Sequence, residues 1–192
     1  MYRIFINDRL NEIDLEASLP LLSDQRRQQA LAYRHELGRR ECIAAYLLLC
    51  QALREVYGIT TLPIFEYSEH DKPSIVGHPE IFFNLSHCKE AAICVVSDQA
   101  IGVDIESIRE YDEAIAQYSM SDEELFQIQQ SSHSDLAFIR LWTMKEAFVK
   151  LSGRGLPSQL HLQSLLSDIP SSRFITHISP DRRYLYTLCL PD

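Results

Sequence analysis

No segment of this sequence approaches the ~18 consecutive apolar residues of a membrane-spanning helix. The opening residues, Met1-Tyr2-Arg3-Ile4-Phe5-Ile6-Asn7-Asp8, hold no long apolar run of the kind that begins a secretory leader. These absences predict a soluble, untargeted protein with no membrane partner. Cys42, Cys50, Cys88, Cys94 and Cys189 form an odd set without a Cys-x-x-Cys pair. That excludes the usual disulfide framework and zinc knuckle, and fits a reducing cytoplasm. His70, His78, His133, His161 and His177 fall at no metal-ligand spacing, which argues against a His-based zinc site. A Gly-x-Ser-x-Gly elbow is also missing, so a serine hydrolase is disfavoured. Lysine is scarce: Lys72, Lys89, Lys145 and Lys150 are the four in the chain.

What is present is enough apolar material for a core. With 192 residues and 46% hydrophobic content, the chain can build one large domain or two small ones without staples. A net charge of −9 argues against nucleic acid as a partner. The charge is unevenly placed, however. Residues 1–60 carry eight Arg against eight acids, while residues 61–192 carry ten basic and nineteen acidic side chains. Arg26, Arg27, Arg34, Arg39 and Arg40 lie within fifteen positions, which suits either an anion site or a solvated helix face.

In chain order, Tyr2–Ile6 reads as a strand, and Ser23 or Asp24 can cap a helix running toward Tyr33. From about Arg39 to Tyr57, Ile43, Ala44, Leu47, Leu48, Ala52 and Val56 recur at helical spacing, with Gly58 as the stop. Strands are expected at Ile64–Tyr67, Ile81–Leu85, Ala91–Ser97 and Ile101–Glu106. Then the order restarts. Ser121-Asp122-Glu123-Glu124 fits a capping box, Ser134 or Asp135 opens a longer helix ending near Leu151, and strands within 160–166, 173–178 and 183–190 close the chain. Helices then sheet, twice, predicts an α+β fold of two similar halves, 1–103 and 104–192, although no repeat of residues marks a duplication.

Three clusters carry chemistry. In Gly102-Val103-Asp104-Ile105-Glu106, a strand would bury Val103 and Ile105 and send both carboxylates from the other face. Two such acids need a cation between them, and oxygen ligands suit Mg²⁺, although an ordinary half-buried strand with a solvated acidic face shows the same alternation. In the long helix, Leu141, Met144, Phe148 and Leu151 are expected to form the buried stripe, with Thr143, Glu146 and Lys150 together opposite. Glu146 and Lys150 also fit a surface i,i+4 ion pair. Lys145 falls inside the apolar arc, where a lysine must snorkel or meet an anion. The third cluster, Phe82-Phe83-Asn84-Leu85-Ser86-His87-Cys88, ends a strand in polar side chains; His87 there suits a base, a ligand, a phosphate contact or a purely structural role.

Lys72-Pro73, Phe83-Asn84-Leu85-Ser86-His87, Gly102-Val103-Asp104-Ile105-Glu106, Trp142-Thr143-Met144-Lys145-Glu146-Ala147-Phe148-Val149-Lys150 and Gly153-Arg154-Gly155-Leu156 occur in one order over residues 71–156. Together these motifs resemble the 4'-phosphopantetheinyl transferase family, in its longer, two-half form rather than the short trimeric one. The resemblance implies a monomer whose halves pack as a pseudo-dimer around the active site. It implies an enzyme of the holo-[acyl-carrier-protein] synthase type. Such an enzyme moves the phosphopantetheine arm of coenzyme A to a serine of an apo acyl or peptidyl carrier protein and releases adenosine 3',5'-bisphosphate.

By the same resemblance Asp104, Glu106 and Glu146 hold Mg²⁺. Glu146 takes the serine proton, directly or through water, and Lys150 steadies the leaving phosphate. Arg26, Arg40, Lys72, Pro73, Ser86, His87, Lys145 and Lys150 contact coenzyme A, with Lys145 at the rim of the site. The alternative of another class is a lapsed relative that binds a carrier protein or coenzyme A without transfer. Two positions depart from the family pattern: Asp71 stands where glycine is common before Lys-Pro, and Cys88 where serine is common after Ser-His.

Overall fold

The computed structural model describes residues 1–155 and 162–192. Its architecture follows from which strands have two apolar faces and which have one. Strand β5 (Ala92–Ser97) is buried at every position. Ala92, Cys94 and Val96 join one core cluster and Ile93 and Val95 another, as expected for a strand covered on both sides. It is the centre of an antiparallel sheet in the order β1-β5-β4, flanked by β1 (Tyr2–Asn7) and β4 (Phe82–His87). After the short helices α1 (Leu15–Ser18) and α2 (Asp24–Ala32), a long helix, α3 (Glu36–Tyr57), covers one face with Ile43, Ala45, Leu49 and Ala52. Its end is set by Gly58 in the left-handed region (φ 70°), whose N–H bonds back to Arg54.

The second unit repeats that connectivity. Strand β6 (Gly102–Ser107), helix α6 (Ser134–Ser152), β7 (Phe174–Ile178) and β8 (Tyr184–Cys189) give an antiparallel sheet β6-β8-β7 with the last strand central, as in the first unit. Val103, Ile105, Tyr184 and Leu188 pack against Ile93 and Val95, so the two sheets meet face to face. On the opposite face of the second sheet, Leu185, Thr187 and Cys189 meet the helices. The fold is α+β, layered helix, sheet, sheet, helix. A division at residue 103 falls within β6, whose whole length pairs with β8.

Several elements depart from the sequence reading. A small hairpin, β2 (Phe65–Tyr67) with β3 (Pro73–Ile75), includes a strand too short to carry a period. Asp71, in its turn, has φ 60°, the left-handed conformation that explains why glycine suits this position. Between β6 and α6 lie α4 (Glu113–Ser119) and α5 (Asp122–Gln130); α5 opens on the expected capping box, Ser121 with Glu124. Of the strand expected within 160–166, residues 160 and 161 lie outside the described residues. Leu162 and Gln163 are helical, and turns follow.

Helix α6 does not show one apolar stripe. Thr143, Lys145, Ala147 and Leu151 are all buried, because β6 and β8 press on one side and α5 on another. The closest approach is at Gly102. A Cβ there would stand 1.9 Å from the Ala147 carbonyl oxygen and 2.7 Å from the Leu151 nitrogen. Both are backbone atoms of α6 and cannot swing away, so the helix itself must move. We expect Gly102→Ala to destabilise the protein by about 3 kcal/mol or more, a fall in Tm of about ten degrees for a chain of this size. Gly58→Ala, strained in φ but with nothing within 4 Å, is expected to cost about 1 kcal/mol. Parallel thermal melts check both, and equal losses would place the constraint elsewhere.

Candidate active site

The site is built where the two units touch. Strand β4 turns Phe83 and Leu85 toward the first core, so its alternation aims Asn84 and Ser86 the other way, at the edge of β6. There the side chains take the place of a backbone ladder. The Val103 N–H donates to Asn84 Oδ1 at 3.3 Å, and the Ile105 N–H donates to Ser86 Oγ at 3.3 Å. Two N–H groups of β6 are thereby satisfied in the interior, where an orphan would cost about 1–3 kcal/mol.

Asp104 and Glu106 leave β6 on the face that meets α6. Asp104 is buried; its Oδ1 accepts from Ser86 Oγ at 2.8 Å and from Lys150 Nζ at 2.6 Å. Lys150 Nζ also donates to Ser86 Oγ at 2.9 Å. Ser86, Asp104 and Lys150 thus close a three-membered ring of hydrogen bonds drawn from β4, β6 and α6. The other carboxylate oxygen, Asp104 Oδ2, is buried and has no partner among the described residues.

Glu106 and Glu146 complete the acidic group. Burial and the Asp104 charge push the Glu106 carboxyl up to about 7, against the pull of Arg109, Lys150 and a hydrogen bond from Trp142. Burial and the same Asp104 charge raise Glu146, with Lys150 opposing. Three mutually repelling carboxyl groups therefore gather around Lys150, with Arg109 drawing on Glu106 as well. Among the described residues no three Asp, Glu, His or Cys side chains are gathered tightly enough to hold a metal ion as they stand; Lys150 is the cation among the acids. The donor set still fits a hard cation. All its ligands are oxygens, Asp104 Oδ2 is free to accept, and the local negative charge exceeds what Lys150 neutralises.

Two adjoining cavities form a groove that leads from Lys150 into the first unit. One cavity of about 240 Å³ is lined by Lys72, Pro73, Asn84, Leu85, Lys150 and Gly153, among others. It shares Pro73 and Leu85 with a second, of about 230 Å³, that reaches Arg26, Tyr33 and His87. His87 Nδ1 lies 3.5 Å from Glu41 Oε2. Arg26 donates to Gln29 Oε1 at 2.8 Å and to the Cys42 carbonyl at 3.0 Å, leaving a buried Nε without a partner. Arg40 is not among the residues lining that cavity; it pairs with Glu36 at 3.4 Å, and its Nε is likewise buried and unpartnered. Lys72 lines the groove, but its ammonium donates to the Leu151 carbonyl at 2.7 Å in the last turn of α6.

One expected contact of the sequence reading needs correction, and a second is engaged inside the protein. Ser86 has one O–H and two lone pairs, and all are spent on Asp104, Ile105 and Lys150. In this arrangement the hydroxyl is a joint between strands. Lys145 is not at a rim. It is wholly buried, 2.7 Å from Glu124 Oε2, and donates to the Ser119 and Leu162 carbonyls at 2.8 and 2.7 Å. Its place inside the apolar arc was the available signal; the anion it meets is Glu124. Thr143, expected beside Glu146 on a polar face, is also buried and bonded to Thr187 at 2.8 Å. Asn84, Arg109 and Trp142 act at the site without any pattern in the sequence that assigns those roles.

Residues 100–188 match the family described as the 4'-phosphopantetheinyl transferase superfamily. Over 97% of its length and 76% of the relative's, the chain is 30% identical to the 4'-phosphopantetheinyl transferase psf-1 of Bacillus pumilus. It is 31% identical to the 4'-phosphopantetheinyl transferase AcpT of Salmonella typhi, over 80% of this chain and 77% of that protein. To the 4'-phosphopantetheinyl transferase Sfp of Bacillus subtilis (strain 168) it is 27% identical, over 81% and 71%. Coverage on this scale makes the likeness one of both units rather than of a single motif.

The raised carboxyls make stability depend on pH. A Glu held to about 7 when folded and ~4.3 when unfolded keeps its proton in the native state after the unfolded chain has lost it. Stability is therefore full below the unfolded value and falls as pH rises toward 7. Glu146 acts in the same direction. In metal-free buffer we expect a loss of about 1–3 kcal/mol between pH 4.5 and 7.5, with most of the slope removed in Glu106→Gln. Urea titrations across that window measure it, and a flat profile in the wild type would contradict the assignment.

Proposed function

The chain belongs to the 4'-phosphopantetheinyl transferase superfamily, and from that premise we propose that it transfers the phosphopantetheine arm of coenzyme A to a serine hydroxyl of an apo acyl or peptidyl carrier protein. In the balanced step the serine oxygen forms a bond to the β-phosphorus of the coenzyme A pyrophosphate. The bond from that phosphorus to the bridging oxygen breaks, adenosine 3',5'-bisphosphate leaves, and the serine proton passes to a base. The observation that carries this reading is the acid cluster around Lys150, with Asp104 Oδ2 unpartnered, at the end of a groove that reaches Arg26 and His87. A monomer of the holo-[acyl-carrier-protein] synthase type, active in the cytoplasm, fits the same reading.

In this proposal Asp104, Glu106 and Glu146 hold Mg²⁺, which supplies charge neutralisation for the pyrophosphate when bound. Glu146, kept basic by burial and by Asp104, accepts the serine proton directly or through water. Lys150 stands one helical turn from Glu146, and its ammonium is suited to meet charge developing on the departing phosphate. Pro73 and the stem of Lys72 offer apolar surface to the adenine. Arg26 and His87 line the end where the 3'-phosphate would sit, and a guanidinium fork suits that group. Arg40 is a weaker phosphate contact, reaching the ligand only on release from Glu36.

Incubation with an apo carrier protein, coenzyme A and Mg²⁺, followed by intact-protein mass spectrometry, tests the reading. We expect gain of one phosphopantetheine, whereas binding of coenzyme A with no mass gain would mark a lapsed relative. Asp104→Ala, Glu106→Ala and Glu146→Ala should each lower transfer about a hundredfold or more, because several kcal/mol of charge stabilisation is lost, while circular dichroism stays native. Full activity in any two would sink the metal assignment. His87→Ala should weaken coenzyme A about tenfold more than dephospho-coenzyme A, since a charge-assisted hydrogen bond of ~1.5–3 kcal/mol exists only with the 3'-phosphate. Equal losses for the two substrates would remove His87 from that contact.

A further inference from the structure

Helix α6 presents a problem of rotation. It must hold Glu146 and Lys150 against Asp104, yet apolar or small side chains are spread around most of its circumference: Phe138, Ile139, Ala147, Val149 and Leu151 are all buried. A helix that is apolar nearly all round can turn about its axis and still bury its surface. Directional bonds are needed to choose one setting. Among the described residues, two sets of such bonds flank the working face.

On one side Thr143 Oγ1 meets Thr187 Oγ1 at 2.8 Å, and Thr187 in turn meets Thr176 at 2.9 Å, pinning the helix to the sheet. On the other side is Lys145. At 100° per residue it lies about 100° from Glu146, and Thr143 lies about 60° away in the opposite sense. The Lys145 ammonium is fully buried and donates to the Glu124 carboxylate, to the Ser119 carbonyl and to the Leu162 carbonyl, each within 2.8 Å. Glu124 cannot drift, because its Oε2 also accepts the Ser121 N–H at 2.8 Å in the capping box of α5. One side chain therefore ties α6 to the end of α4, the start of α5 and the segment after residue 161.

We propose that the buried Lys145–Glu124 pair is a positioning device, which sets the rotation of α6 and thereby places Glu146 against Asp104 and Glu106. Replacing a buried ion pair by neutral groups is often nearly neutral for stability, so stability alone does not explain why this ring of bonds is built. The pair touches neither the groove nor the acids. It acts through the neighbouring residue on the same helix.

This inference rests on the reading of Asp104, Glu106 and Glu146 as Mg²⁺ ligands, and the test separates the two. Two variants serve. Glu124→Gln keeps the capping box and leaves Lys145 its carbonyl partners, and Lys145→Met/Glu124→Gln removes both charges. For each we expect native circular dichroism at 20 °C and a kcat at least tenfold lower with the KM for coenzyme A within twofold. The apparent Mg²⁺ dissociation constant, read without substrate from the Mg²⁺-dependent rise in Tm, should be at least tenfold higher, the range typical of groups that orient metal ligands. A fall in Tm with kcat and the Mg²⁺ constant unchanged would reduce the pair to a structural strut and overturn the proposal. Should the double variant not fold, Glu124→Gln decides alone. A wild type that shows no Mg²⁺-dependent rise in Tm would instead defeat the ligand reading.

Discussion

The hydrogen-bonded ring of Ser86, Asp104 and Lys150 is the joint at which the two units meet and on which the site depends. Each member comes from a different element, and Ser86 comes from a different unit than the other two. Where the edge strands β4 and β6 of the two facing sheets approach, Asn84 and Ser86 stand in for the missing ladder by accepting the Val103 and Ile105 N–H groups. The same alternation that frees those N–H groups sends Asp104 to the α6 side, where Lys150 meets it. Joining the units and assembling the acid cluster are thus one geometric act.

That act has an electrostatic cost. Three carboxyl groups crowd beside Lys150 and Arg109, and the burden appears as raised Glu106 and Glu146 and an Asp104 Oδ2 without a partner among the described residues. A sequence selected for stability alone would replace Glu106 with something neutral, since its neighbours Val103 and Ile105 already bury the core face of β6. The strain is local. Within a turn of it, Gly102 lets the helix backbone approach the strand backbone directly, and Lys72 satisfies the Leu151 carbonyl at the helix end. Close packing on apolar terms surrounds a cluster that is unfavourable on polar terms, a distribution expected of a site whose charge awaits a ligand.

How much of this was legible in the sequence depended on the range of the interaction. Periods and caps are local, so α3 with its Gly58 stop, the Ser121 capping box, β4 to β6 and the last two strands stood close to where alternation and spacing put them. Asp104 and Glu106 share a face because a strand's period is two. What failed was decided by partners distant in sequence. Nothing in the strand of Ser86 shows that Asp104 and Lys150 engage its hydroxyl. The spacing in α6 predicts one buried stripe because one-sided burial is the usual case, whereas here sheet and helices press on it from several sides. The short strand of Pro73–Ile75 and the turns after Leu162 lack the length that any periodic signal requires.

Lys145 shows most clearly where local reasoning ends. Its position inside the apolar arc demanded an anion, and that inference was sound. The choice between a phosphate from outside and a carboxylate from inside turned on Glu124, twenty-one positions earlier and already employed as a cap. A long side chain in an apolar arc carries its charge away from its own helix, so the sequence around it describes the stem and not the head. Lys145 and Lys150, five residues apart on one helix, therefore meet carboxylates from different elements and different layers. Lys150 turns toward the strand that carries the acids; Lys145 turns toward the helix pair that supports them. Two lysines that sequence proximity merges into one basic patch become, once folded, one group in the site and one behind it.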